Sequence, residues 1–254
     1  MAAPSRIDRE YLAGLEKGLA VIEAFSAEQG ALNVARAAEL AGISRASARR
    51  CLRTLAVLGY AQHDGKRFRL APRALRLGHA YLASTALAKI VQPVIEATSE
   101  RTKHSISVGL LDDTRVVVIA RAYVQRSLSG GLAVGGWLPA YCSANGRVLL
   151  SALSDSRAEA VLKRTSRVRF TKRTLVRIPE IMREIALVRK RGYATNEEEV
   201  ELGLSTIAVP VRKRSGEIIA SMSLSSIGTP SERKQLIKLL PQLQATSFRL
   251  SGML

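Results

Sequence analysis

Arginine stands at positions 45, 49, 50 and 53 of the stretch ISRASARRCLRTLAVLGY (residues 43–60), which holds no acidic residue. Guanidinium groups at that density do one kind of chemistry well: they pair with oxyanions, and they read guanine edges bidentately. At 100° per residue, Ala48, Cys51, Leu52, Leu55 and Leu58 fall in one stripe of a helix. The arginines fall across the opposite half, beside Ala46 and Thr54. Like charges at i,i+4 (Arg45 with Arg49, Arg49 with Arg53) cost about 0.2–0.5 kcal/mol each, which an anionic partner would offset.

Other chemistries find little support. There is no G-x-S-x-G elbow, Walker lysine loop or H-E-x-x-H pair. His63, His79 and His104 sit on different segments, and GGLAVGG (130–136) neither matches G-x-G-x-x-G nor opens a helix. Cys51 and Cys142 make neither a metal spacing nor a disulfide framework. Cys51 lies on the apolar stripe as a small buried thiol, and Cys142 would be a nucleophile only with a base beside it. The expectation is no enzyme, no catalytic or metal-binding residue, and no cofactor beyond a small organic ligand.

The elements that must position these groups follow from periodicity. Leu15, Leu19, Ile22 and Phe25 mark an amphipathic helix stopped by Gly30, and Asn33 caps a second one, VARAAELA. After a turn at Gly42, Ser44 caps the arginine helix; helix, short glycine turn, helix is a helix-turn-helix outline. Two short strands around HDGK then make a wing with Lys66 and Arg67 at its tip. Residues 11–72 are thus predicted to be a winged helix-turn-helix DNA-binding domain. Residues 73–84 are a linker helix, and 85–254 a second domain, with Pro93 as a break or start in its first helix. Strand pairs alternate there with helices outside βαβ order, so an antiparallel α+β domain is expected, closed by a helix over 230–252.

The chain has 254 residues and a formal net charge of +18. The charge is spread: residues 1–82 carry 13 Lys/Arg against 7 Asp/Glu, and 157–191 carry 12 against 3. That second stretch leaves open a non-specific RNA-binding protein, which would bind with steep salt dependence and no sequence preference. The N-terminus MAAPSRIDRE lacks the apolar region of a secretory signal, and no apolar run reaches the ~18 residues of a membrane span. A reducing compartment, most simply the cytoplasm, and no membrane partner are expected.

GLEKGLAVIEAF, GWLPAYCSANGRVLLSAL and VRKRGYATNEEEVELGLSTIAVPVRKRSGEIIASMSLS together resemble the IclR family of bacterial transcriptional regulators, over about residues 11–250 and in the same order. LPAYCSANGRVLL most resembles the branch that controls protocatechuate, 4-hydroxybenzoate and β-ketoadipate catabolism. The resemblance implies a winged helix-turn-helix, a linker helix and a GAF-like domain that binds a small acid. It also implies a homodimer or dimer of dimers on double-stranded operator DNA. A GAF-like thiol enzyme is the alternative within the same fold.

On the arginine helix, Ser44, Arg45, Ala46, Ser47, Arg49 and Arg50 occupy the positions that reach base edges in a major groove. Arg53 is better placed for phosphate, and Lys66 and Arg67 for the flanking backbone. For the ligand, the resemblance places Trp137, Tyr141, Ser143, Ala144, Asn145 and Gly146 on one side of a pocket. Asn196, Leu204, Ser205, Thr206, Ser223 and Ser225 lie on the other. Arg121 is the candidate partner for a carboxylate, against a structural role; for Trp137 the competing reading is packing. Ser143 and Asn145 open a helix, where backbone N–H groups favour an anion. The effector expected is a protocatechuate-, 4-hydroxybenzoate- or β-ketoadipate-like acid.

Overall fold

The structure, a computed structural model, describes residues 10–27, 30–123, 132–229 and 235–254. The chain divides into two units, Met1–Tyr81 and Leu82–Leu254.

In the first unit, α1 (Ala13–Ala24) runs into a 3₁₀ turn at Phe25–Ala27. Asn33 begins α2 (Val34–Leu40) by accepting from the Arg36 N–H at 2.8 Å. Gly42 turns the chain with φ +64°, and Ser44 begins α3 (Arg45–Val57) by accepting from the Ser47 N–H at 3.2 Å. Each cap satisfies an N–H that the helix start would leave orphaned. The wing is β1 (Ala61–His63) paired with β2 (Phe68–Leu70), and Leu32 adds a third rung by exchanging both backbone hydrogen bonds with Phe68. Val21, Leu32, Ala37, Ala48, Leu52, Leu55 and Phe68 form the core.

Burial departs from the expected stripes at the edges. On α1 the buried face is Val21 and Ala24, followed by Phe25 beyond the helix end, while Leu15 and Leu19 are 61% and 47% exposed. Leu58 is half exposed and Cys51 only half-buried, because α3 ends at Val57 and the domain is too small to cover its last turn. The linker helix α4 (Leu75–Ser84) has no buried residue.

In the second unit, α5 (Ala86–Thr102) runs straight through Pro93. The expected break there does not occur; it falls at Thr85, whose extended backbone separates α4 from α5. Burial of Leu87, Val91, Val94 and Ile95 on both sides of the proline outweighs one missing hydrogen bond. The strands β3 (Ser105–Asp112), β4 (Arg115–Ala122), β5 (Trp137–Pro139), β6 (Ala194–Glu197), β7 (Leu204–Arg212) and β8 (Ile218–Ile227) form one sheet. Its order is β5-β4-β3-β8-β7-β6, with every pairing antiparallel.

One face of this sheet packs on α5 and on α9 (Leu240–Met253) through Val91, Ile95, Ile106, Val209, Met222, Leu224 and Leu243. The opposite face carries α6 (Ala144–Ser151), backed by α7 (Asp155–Arg164) and α8 (Ile178–Arg191). The stretch 143–164 forms two helices rather than one, divided by a second serine cap at Ser154. The last helix starts later than expected, with a 3₁₀ turn at Leu236–Leu239 before α9; residues 230–234 lie outside the described residues. β6 covers β7 only as far as Ala208. Beyond it α9 takes over: Ser247 Oγ donates to the Pro210 carbonyl at 2.5 Å, and the Arg212 N–H donates to Ser251 Oγ at 3.2 Å. The architecture is α+β, a winged helix-turn-helix and linker helix followed by a GAF-like antiparallel sheet between helices.

Candidate nucleic-acid interface and ligand cavity

On α3 the side chains divide as the charge pattern requires. Ala48 and Leu52 are fully buried, whereas Ser44, Arg45, Ala46, Arg49, Arg50 and Arg53 are exposed. Ser47 is the exception among the expected base-reading positions: it is buried and its hydroxyl lies 3.1 Å from Ser44 Oγ, within the cap. Arg49 and Arg53 face a groove of about 370 Å³ between α3 and the wing, shared with His63 and Lys66. Arg45 lines a different hollow, against α2, and Arg50 lines neither. At the wing tip the Asp64 carboxylate accepts from the Lys66 and Arg67 N–H groups at 3.0 and 2.8 Å. Those two backbone bonds hold its pKa below the usual carboxylate range and keep the turn shaped with both basic side chains exposed.

In the second unit a cavity of about 250 Å³ lies on the sheet face that carries α6. Its floor is built by strand register. Residues directly opposite on antiparallel strands share a face, and Arg121, Ser107 and Ser223 form one such row across β4, β3 and β8. Asn196, Thr206 and Ser225 form another across β6, β7 and β8. Ser107 Oγ lies 3.0 Å from Ser223 Oγ, and Ser225 Oγ donates to the Ser105 carbonyl at 3.5 Å. The start of α6 (Ser143, Ala144, Asn145) forms one wall, and Trp137 and Leu138 another. Val200, Glu201 and Leu204 close the far end.

Arg121 is the one cation of this lining, and among the described residues it has no acidic partner. One terminal nitrogen donates to the Leu132 carbonyl, and the guanidinium carbon stands 4.7 Å above the Tyr123 ring. Its Nε is buried without a hydrogen-bond partner among the described residues. Burial draws its pKa down, the signature of a charge held short of solvent and of a counter-ion. Trp137 lines the cavity while 43% exposed, with the Arg115 guanidinium 3.8 Å from its ring centre, so it is both a rim and a stacking residue.

Three expected pocket residues lie elsewhere. Tyr141 is turned into the core under α6 to α8, where its hydroxyl donates to the Val168 carbonyl; burial pushes its pKa up. Ser205 is one residue out of phase with Thr206 and Leu204, so the strand's alternation sends it to the other face. Gly146 serves packing: a Cβ there would lie 2.1 Å from the Ala140 carbonyl oxygen. Ser143 and Asn145 do line the cavity, yet both are buried, with the Ser143 hydroxyl and the Asn145 Nδ2 engaged. Ser143 Oγ donates to the Pro139 carbonyl at 2.7 Å and accepts from the Gly146 N–H at 3.2 Å, and Asn145 Nδ2 donates to the Ser221 carbonyl at 3.3 Å.

Sequence reasoning missed Ser107, Leu132, Leu138, Val200, Glu201 and Ile227. A signal existed for Ser107, a lone polar residue between Ile106 and Val108 in a buried strand. None existed for Glu201, which a loop brings to the rim. Also missed was the support beneath that rim. Asn196 Nδ2 donates to the Cys142 carbonyl, and its Oδ1 accepts from the Glu199 N–H at 3.3 Å. Glu199 in turn pairs with Arg147 of α6 through two bonds of 2.6 and 2.7 Å, both side chains buried.

The thiol chemistry left open by the sequence is disfavoured here. Cys142 is fully buried, and burial pushes its pKa up to about 12, so no thiolate forms near neutral pH. No group of three or more metal-ligating side chains occurs among the described residues, and none of their helices is long and apolar enough to cross a membrane.

The profile described as bacterial transcriptional regulator IclR C-terminal matches residues 79–252, and that of the IclR helix-turn-helix domain matches 14–65. Over 244 residues, 94% of this chain and 83% of the relative, the sequence is 40% identical to the Pca regulon regulatory protein of Pseudomonas putida. Over 250 residues, 96% and 92%, it is 36% identical to the p-hydroxybenzoate hydroxylase transcriptional activator of Acinetobacter baylyi. A solved structure of a double mutant of the PobR transcription factor inducer binding domain from Acinetobacter, in complex with 3-hydroxybenzoic acid, is similar with TM-score 0.62 and 29% identity. That similarity covers 67% of this chain and 100% of the other. These matches cover both units: the chain belongs to the IclR family and is a DNA-binding transcriptional regulator, not an enzyme.

Proposed function

We propose that this regulator senses a small aromatic acid in the sheet cavity of its second unit and controls genes for the catabolism of such compounds. The observation that carries the reading is Arg121, an unpaired and partly desolvated guanidinium on a floor of serine and threonine hydroxyls. A carboxylate would supply its missing counter-ion bidentately. The names of the relatives point the same way, since two of them concern the pca genes and p-hydroxybenzoate hydroxylase. Protocatechuate, 4-hydroxybenzoate and β-ketoadipate are the candidate effectors.

On DNA, α3 enters the major groove of an operator. Arg45, Ala46 and Arg50, with Ser44 and Arg49 beside them, are the candidates for base edges; Arg53, Lys66 and Arg67 hold phosphates. The protein acts in the cytoplasm as a homodimer or dimer of dimers. Exposed Leu12, Leu15 and Leu19 on one side of α1, with Leu75 and Leu77 on α4, are the apolar surface that pairing would cover.

The deciding experiment is a thermal-shift screen of the purified protein with the three acids, followed by operator binding with and without the acid that binds. A ligand bound only by the folded state raises the melting temperature. A stabilising acid that changes operator affinity supports the reading; no shift with any acid, or a shift that survives Arg121→Ala, refutes it.

A further inference from the structure

A second hollow, of about 530 Å³, opens in the second unit and shares no lining residue with the sheet cavity. It lies where the ends of α6 and α8 meet the start of α7 and the β7–β8 turn. Three guanidinium groups come to it from three elements: Arg157 of α7, Arg189 of α8 and Arg212 of β7. Val148, Leu153, Val188, Pro210 and Ile218 give it an aliphatic wall. We propose that this hollow binds a small organic phosphate, with the phosphate on the arginines and an apolar body against the wall.

Charge balance carries the assignment. The acids nearby are already engaged: Asp155 pairs with Arg189, and Glu217, the one acid in the lining, pairs with Lys213 at 2.8 Å. Arg189 also donates to the Ser151 and Leu153 carbonyls at 2.9 and 2.8 Å, so its charge is held at the hollow. Among the described residues Arg157 and Arg212 have no acidic partner, and Arg212 Nη1 donates to the Gly216 carbonyl at 2.8 Å. Arg157 stands in the first turn of α7, where the helix dipole disfavours a cation. Cations set against one another and against a dipole are unfavourable, and a bound anion reverses both effects.

The type of anion follows from the number of donors. A carboxylate carries one charge and two oxygens in one plane, which a single guanidinium satisfies. A phosphate monoester carries about −1.5 to −2 near neutral pH on three oxygens that point apart. It can therefore accept from arginines arriving from different elements. The hollow is larger than a phosphate needs, and its aliphatic wall suits a ligand with an apolar body.

Phenyl phosphate is the probe, titrated calorimetrically into the full chain in phosphate-free buffer beside inorganic phosphate and phenol. Phenyl phosphate should bind, inorganic phosphate should be weaker by about tenfold or more, and phenol should not bind measurably. Arg157→Gln with Arg212→Gln changes two exposed side chains and should leave the circular dichroism spectrum intact. This paired variant should lower phenyl phosphate affinity by about tenfold or more. Arg121→Ala in the sheet cavity and Arg53→Ala on α3 should leave that affinity unchanged. The proposal is overturned if phenyl phosphate does not bind, if inorganic phosphate binds as tightly, or if the paired variant binds like the wild type. It is overturned equally if Arg121→Ala or Arg53→Ala abolishes binding. A paired variant that loses as much affinity for random DNA duplex as Arg53→Ala does would assign these arginines to the nucleic-acid backbone, which also overturns it.

Discussion

Arg147 reaches Glu199 through two charge-assisted hydrogen bonds inside the fold, and Glu199 also accepts from the Leu175 N–H at 3.1 Å. Such a pair stabilises little in net terms, because desolvation offsets its attraction, but removing one member strands the other charge. Glu199→Ala should therefore cost about 3–5 kcal/mol in urea unfolding. The joint change Arg147→Met with Glu199→Leu should restore most of that loss; a double variant as unstable as the single one would refute this account. At Cys142 the sign of the pH effect is fixed by burial. Its folded pKa of about 12 lies above the roughly 8.5 of an exposed thiol. The folded state keeps a proton that the unfolded chain releases, so this contribution is present below about pH 8.5 and lost as pH rises towards 12. Cys142→Ala should flatten the fall in stability between pH 8 and 11, measured by denaturant melts. An unchanged slope would show that the thiol is not the group responsible. None of this pairing was legible in the sequence, since Arg147 and Glu199 lie 52 positions apart and nothing local marks either as buried.

Among the elements, α3 and its caps were the most readable, because the signals are local: Asn33 and Ser44 cap where short polar side chains should, and the exposed arginines follow the helical period. Pro93 misled because the rule against proline concerns backbone bonds, while α5 is held by the sheet beneath it. The arginines now separate by direction. Arg50→Ala should cost about 1–3 kcal/mol at the operator and relax preference at one base pair. Arg53→Ala and Lys66→Ala should weaken operator and random duplex alike, each lowering the salt slope by about one. Arg49 shares the wing groove with Arg53. Its alanine variant therefore reports whether that groove seats backbone or bases: equal losses on both duplexes mean backbone, and a loss confined to the operator means bases. For α6, replacing Ser143 by alanine removes a helix cap worth about 0.5–2 kcal/mol. Any change in ligand response must accordingly be measured at temperatures where that variant remains folded.

For the molecule as a whole, the class of fold and the role were legible from patterning and family resemblance, whereas the cavity was only partly so. The resemblance pointed to Thr206, Ser223 and Ser225, which line the cavity, but also to Ser205, which strand alternation sends to the other face, and the rim residue Glu201 depends on a loop path no periodicity encodes. Assembly is the property left to measure. If α1 carries the dimer contact, Leu15→Glu with Leu19→Glu should halve the mass seen by analytical ultracentrifugation, and operator footprints should lose their paired half-sites. An unchanged mass would move the contact elsewhere, with Leu75 and Leu77 on α4 next to be tested.

The serines of α9 that close the open half of β7 carry a consequence for handling this protein at high concentration. An uncovered run of strand is a template on which further chains can stack into fibrils. Here Pro210 has no N–H to offer, its carbonyl is taken by Ser247, and the Arg212 N–H is taken by Ser251, so the template is blank over that stretch. At the opposite edge of the sheet β5 is only three residues long, too short to seed growth. Self-association through stacked strands is thus blocked along this half of β7, while β6 and β5 at the two margins are only four and three residues long, and concentrated stocks should stay free of thioflavin-positive material. Unblocking the template with Ser247→Ala and Ser251→Ala should make such material appear on prolonged incubation.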